Sequence, residues 1–143
     1  MVDQPFAVSS LFSLSIGTYA MGSFTRCDGL GCFMEMEERV EGGTNGRVWQ
    51  LPTRLRYPPV VLSRPLTRQT VLIWAWLQQQ ANIPVRLPGQ LVALGPDRRP
   101  IVRWLLDGVV PVRWTAPSFD ADQSQVARET LEIAHNGFLA VSL

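Results

Sequence analysis

The sequence predicts a mainly β fold: a small antiparallel β-barrel or sandwich, one flanking α-helix over about residues 67–80, and a long loop over about residues 41–59. Three observations predict it. Period-two alternation of apolar and polar side chains recurs along most of the chain. Gly, Pro and Asn-Gly turn signals interrupt that alternation at short intervals. Only one segment carries a helical period. A chain of 143 residues supports one core, so a single domain spanning 1–143 is expected.

The elements follow in order. In LFSLSIGTYAMGSFTRC, Phe12, Leu14 and Ile16 alternate with Ser13 and Ser15, then a Gly-bounded turn leads into a returning strand, which makes a hairpin. CFMEMEERV, residues 32–40, places Cys32, Met34 and Met36 on one face of a third strand and Phe33, Glu35 and Glu37 on a largely acidic other face. The stretch from Glu41 to Pro59 contains three glycines and three prolines and no sustained period, so it reads as a long excursion. So long a structureless segment in a compact domain implies work on something else.

A short strand, VVLSR, precedes LTRQTVLIWAWLQQQANIP, where the period changes. Leu66, Thr70, Ile73 and Leu77 share a helical face, Thr67 is the expected N-cap, and Pro84 bars continuation. Trp74 and Trp76 lie about 200° apart on such a helix, so one of them must leave the core and face a partner. Residues 85–114 then predict two strands around a turn at Gly95–Pro100 formed by Asp97, followed by a break at Asp107 and Gly108. Residues 126–134 have helical propensity, but Leu131 and Ile133 alternate with Thr130 and Glu132 up to Asn136-Gly137, which favours a strand.

Composition removes several functions. The net charge is +1, far from the basic balance of a nucleic-acid binder. All 13 basic residues are Arg, suited to forked contacts with carboxylates and to stacking on rings. No apolar run is long enough to span a bilayer, and the opening MVDQPFAVSSLFSLSIG lacks the basic start of a secretory signal, so a cytoplasmic protein without a membrane anchor is expected. Cys27 and Cys32 have no second pair to complete a metal site and read as reduced thiols near a turn.

Candidate chemistry fails on context. The glycines at 42, 43 and 46 lead into a loop and a strand rather than a helix N-terminus, so no phosphate cradle forms. His135 is the sole histidine and sits beside Asn-Gly with no nucleophile elbow, which marks a turn residue rather than a catalytic base. Arg54, Arg56, Tyr57, Arg64 and Arg68 could stack on single-stranded nucleic acid, but Glu35, Glu37, Glu38 and Glu41 precede them, and a complementary protein surface explains mixed charge better. No catalytic, metal or cofactor-binding residue is assigned, and no specific nucleic-acid binding is expected.

Several stretches carry a resemblance. CDGL at 27–30, VEGGTN at 40–45, LPTRLRYPPVVLSR at 51–64, the helix with Leu72, Trp74 and Trp76, WLLDGVVPVRW at 104–114 and PSFDADQSQVARETLEIAHNGF at 117–138 occur in order along nearly the whole chain. Together they resemble the tail-tube proteins of contractile phages and phage-like contractile injection systems, relatives of the haemolysin-coregulated tube protein of type VI secretion. Ser63-Arg64-Pro65 departs from the basic-glycine turn usual in that family. The resemblance implies a structural subunit without catalytic residues or cofactors, forming hexameric rings that stack into a hollow tube. It implies as partners further copies of itself, a sheath protein, baseplate and cap proteins, and cargo in the lumen. The alternatives are a baseplate adaptor ring of the same fold and, from another class, a nucleic-acid-binding module, which the charge balance disfavours. The 41–59 loop becomes an assembly loop, and the contact residues expected between subunits or rings are Glu37, Glu41, Gly42, Gly43, Asn45, Arg47, Trp49, Arg54, Arg56 and Tyr57. Salt-sensitive contacts through Glu35, Glu37, Glu41 or the loop arginines are expected with them.

Overall fold

A computed structural model describes residues 8–40, 46–116, 122 and 126–143. Ten strands and one helix make the fold: β1 (Leu11–Ile16), β2 (Tyr19–Phe24), β3 (Arg26–Asp28), β4 (Phe33–Val40), β5 (Val48–Arg56), β6 (Val60–Pro65), α1 (Thr70–Asn82), β7 (Leu87–Leu94), β8 (Pro100–Thr115), β9 (Arg128–Ala134) and β10 (Gly137–Ser142). Eight strands form one antiparallel sheet in the order β2-β1-β7-β8-β9-β6-β3, with β10 also paired to β8, while β4 and β5 form a sheet of their own.

The alternation that predicts the first hairpin builds the buried face of β1, while in β2 a bulge at Met21, opposite Leu14 and Ser15, turns both Met21 and Phe24 inward. Leu14 and Ile16 of β1 and Met21 and Phe24 of β2 point inward and meet Leu91, Leu106, Leu131 and Ile133 from the other strands. Burying each such side chain fully contributes about 1.5–3 kcal/mol. The 126–134 segment resolves as a strand: Leu131 and Ile133 of β9 are buried between β6 and β8.

The large sheet does not close into a barrel. Its two end strands, β2 and β3, are consecutive stretches separated only by Thr25, and they do not pair with each other. The sheet bends until β2 lies against β6. There the place of a backbone ladder is taken by a side chain, because Arg64 of β6 donates through Nη1 to the carbonyls of Met21 and Ser23 on β2.

The break expected at Asp107-Gly108 is a kink inside one strand. Gly108, at φ 59°, bends β8 where its neighbour on one edge changes from β10, paired at residues 103–107, to β9, paired at residues 110–115. A side chain there would be strained and would meet Asn136 Nδ2 at 2.6 Å, so the corner requires glycine. The turn at 95–100 holds as expected, with Asp97 Oδ1 accepting the Arg99 N–H at 3.0 Å.

Helix α1 starts later than its sequence suggests. Gln69, not Thr67, takes the N-cap position, because the Thr67 hydroxyl accepts the Gln69 N–H at 3.2 Å in a local turn before the helix. Its buried residues are Ile73, Trp76 and Gln80; of the expected row, Ile73 is buried and Leu77 packs half-buried against the core. Trp76 is buried and Trp74 is 51% exposed, as their angular separation requires. Gln80 ends the helix by pairing both amide atoms with the backbone of Val85, at 2.7 and 3.2 Å.

Candidate functional site

The described part of the expected loop is largely a strand. Val48–Arg56 pairs with Phe33–Val40 as an antiparallel ribbon, and only Tyr57, Pro58 and Pro59 of the described part remain irregular between β5 and β6. Sequence periodicity hides this strand because of a bulge: Glu35 faces Arg54, Met36 faces Pro52, and Thr53 is the extra residue. The Thr53 hydroxyl donates to Glu35 O at 2.9 Å and fills the irregularity. Side-chain parity therefore inverts halfway, so Leu51 and Leu55 emerge on opposite faces. Pro52 is tolerated because a bulge at an edge leaves no ladder bond for it to break.

Pairing register sorts the ribbon into two faces. One carries Met34, Met36, Val40, Val48, Pro52 and Leu55, interrupted by Glu38 and Gln50, which hydrogen-bond to each other at 3.2 Å. The other carries Phe33, Glu35, Glu37, Arg39, Trp49, Leu51, Arg54 and Arg56. Met36 is 52% exposed, Val40 73% and Val48 45%, and among the described residues no member of the core comes from β4 or β5. A two-stranded ribbon is marginal in water by itself. An exposed apolar row along one marks a surface that another surface covers.

Of the expected contact residues, Glu37, Arg47, Trp49, Arg54 and Arg56 lie on or beside this ribbon. Glu41, Gly42, Gly43 and Asn45 lie outside the described residues. The acidic and basic groups do not stand apart as two complementary patches. Glu35 takes Arg56 Nε at 2.8 Å and Arg54 Nε at 3.4 Å within the same ribbon. The hydrogen bond from Arg56 holds the Glu35 carboxyl below the usual range. Arg47 sits over the Trp49 ring at 5.7 Å, a cation–π contact near the tip.

Tyr57 does different work from the other expected contact residues. It fixes the base of the ribbon to its own body: its ring lies 5.2 Å from Phe138 edge-on and 5.4 Å from His135. It also covers Gly137 so closely that a Cβ there would meet Tyr57 Cε2 at 3.0 Å. His135 stacks on Phe138 at 5.3 Å, and its Nδ1 accepts the Gly137 N–H at 3.1 Å. Local sequence gave His135 as a turn residue. Nothing local pairs it with Tyr57, some eighty positions earlier; the YPP and HNGF stretches were the only signal.

The described residues offer no group of His, Cys, Asp and Glu that could hold a metal ion. Burial, helped by the charge of Asp28, pushes the Cys27 thiol up to about 12, which leaves it an inert hydrophobe. No helix among the described residues is long and apolar enough to cross a membrane.

The family model for the T4-like virus tail tube protein gp19 matches residues 8–139. No curated protein matches the chain. Among solved structures, a chain of the anti-feeding prophage baseplate is similar at 22% identity and TM-score 0.76, covering 98% of this chain and 97% of that one. A chain of the PVC extracellular contractile injection system, in its extended sheath-tube complex, is similar at 18% identity and TM-score 0.77, covering 99% and 93%. Hcp1 from Flavobacterium johnsoniae is similar at 17% identity and TM-score 0.50, covering 87% and 89%. At these identities the structural likeness is one of fold.

Proposed function

This chain belongs to the family of T4-like virus tail tube proteins, and from that premise we propose that it is the repeating subunit of a contractile system's inner tube, with six copies closing into a ring and rings stacking into a conduit that sheath contraction drives forward. Membership makes it a structural component of a tail tube, not an enzyme.

The observation that carries the reading is the β4–β5 ribbon, an arm with an exposed apolar face that lies outside its own core. An arm that seats on a different surface of the next copy makes a heterologous contact. Such contacts close into rings or extend into stacks, whereas self-complementary patches stop at a dimer. The arm's Glu37, Trp49, Arg54 and Arg56 lie on the opposite face, and with Arg47 they form the polar rim of the contact. Sheath, baseplate and cap proteins are the expected further partners, in keeping with the assemblies that the similar chains come from.

Electron microscopy of the purified protein over a concentration series tests this. Rings and hollow stacks are the expected result. Single rings that never stack would replace the shaft role with a baseplate adaptor ring, and a monomer at every concentration would overturn self-assembly.

A further inference from the structure

We propose that Tyr57, His135, Phe138 and Gly137 form a pH-sensitive latch that holds the β4–β5 arm to the body while His135 is neutral and releases its base when the imidazole takes up a proton. The inference rests on the ribbon being the assembly arm.

The arm rejoins the large sheet through Tyr57-Pro58-Pro59, and Tyr57 makes the ring contacts at that junction. All three of its supports come from the corner between β9 and β10: Phe138, Gly137, whose φ of 140° leaves room for the ring, and His135. His135 is 8% exposed. Because Nδ1 accepts the Gly137 N–H, the neutral ring carries its proton on Nε2, which is buried and has no partner among the described residues. A second proton must go on Nδ1. It would set donor against donor, break the bond to Gly137, and leave a buried cation. The ring faces of Tyr57 and Phe138 offer the cation some return, but a rotation of the imidazole towards water hydrates it fully, and that rotation removes the support under Tyr57.

The ionisable groups on the surrounding elements do not supply a counter-charge in contact. They are Tyr57 itself, Asp107 of β8, whose carbonyl accepts the Asn136 N–H, and Arg86, whose Nη1 donates to Gly108 O and Asn136 Oδ1. Glu132 lies on β9, three residues before His135, and pairs with Arg113 in the register of β8. Burial accordingly holds His135 below the ordinary imidazole range.

Hydrogen exchange of the unassembled full chain between about pH 7.5 and about pH 5, corrected for intrinsic rates, tests the latch. Protection of Gly137 and of residues 53–60 should fall several-fold as the imidazole titrates, while β7 and the first half of β8 keep theirs. His135→Phe, which retains a ring against Phe138, should show no such dependence. A flat profile in the native chain, or the same fall in the variant, overturns the latch. Should the variant not fold, the proton NMR titration of the chain's one histidine decides: a midpoint at or above about 6.5 overturns the proposal. Because this readout needs no tube, a failed latch leaves the tube reading standing, and absent tubes leave the latch standing.

Discussion

Arg64 Nε donates to Glu129 Oε1 at 2.8 Å with the two side chains 1% and 0% exposed. The same guanidinium lies 4.2 Å from the centre of the Phe24 ring and binds two carbonyls of β2. One side chain thus ties together β6, β9 and the strand at which the sheet fails to close. The clasp sits in Ser63-Arg64-Pro65, at the end of β6.

Arg64→Met should therefore cost about 3–5 kcal/mol, because it strands the Glu129 carboxylate in the core. Urea denaturation measures it. Arg64 Nη2 and Glu129 Oε2 have no partner among the described residues, so the network is only partly satisfied, and pairing Arg64→Met with Glu129→Leu should recover most of the loss. A double variant no better than the single one would show that the clasp on β2, rather than the ion pair, carries the stability.

The two helix tryptophans should separate cleanly. Trp76→Ala removes a fully buried ring and should cost about 3–5 kcal/mol. Trp74→Ala removes a half-exposed ring whose neighbour is Trp114 at 6.2 Å, and should cost the unassembled chain at most about 1 kcal/mol. Equal losses in thermal or urea melts would contradict the assignment of faces.

Gly137→Ala tests the corner beneath Tyr57. The φ of 140° is strained for any other residue, and the added methyl would press on the ring. A loss of about 1–3 kcal/mol is expected, together with faster hydrogen exchange at residues 53–60. A loss of stability with unchanged exchange there would mean that Tyr57 finds another seat.

Acid should loosen the arm before it melts the body. The Glu35 carboxyl is held below its ordinary value of 4.5 by Arg56 and, less strongly, by Arg54. A depressed folded value means that the contribution is present above that ordinary value and is lost as pH falls through the folded one. Exchange across β4 and β5 should rise in that acid window, and Glu35→Gln, which keeps the shape without the charge, should abolish the rise.

How much of this was legible in sequence depends on how far each signal reaches. β1, the helix and β9 announce themselves because each has an unbroken local period, and the Gly-bounded turn after β1 announces its partner β2 despite the bulge at Met21. β5 does not, since one bulge at Thr53 inverts its parity and makes a strand resemble a loop. β3 is three residues long, too short to show a period. The Arg64–Glu129 pair and the seat of Tyr57 join residues sixty-five and about eighty positions apart, and no local rule connects them. The split between Trp74 and Trp76 was legible because helix geometry alone dictates it.

The apolar face of the arm carries the last prediction. Met36→Asp and Val48→Asp sit on exposed positions of a ribbon that adds nothing to the core, so each should change the melting of the unassembled chain by at most about 0.5 kcal/mol. If that face seats on another copy, each buries a charge at the contact and should abolish stacks in electron micrographs and the fast-sedimenting species in the ultracentrifuge. Glu37→Arg, on the opposite face, changes only the rim. It should alter the salt dependence of assembly and leave stacks intact at high ionic strength, where rim charges are screened. Stacks that survive both apolar-face variants would locate the contact elsewhere on the molecule.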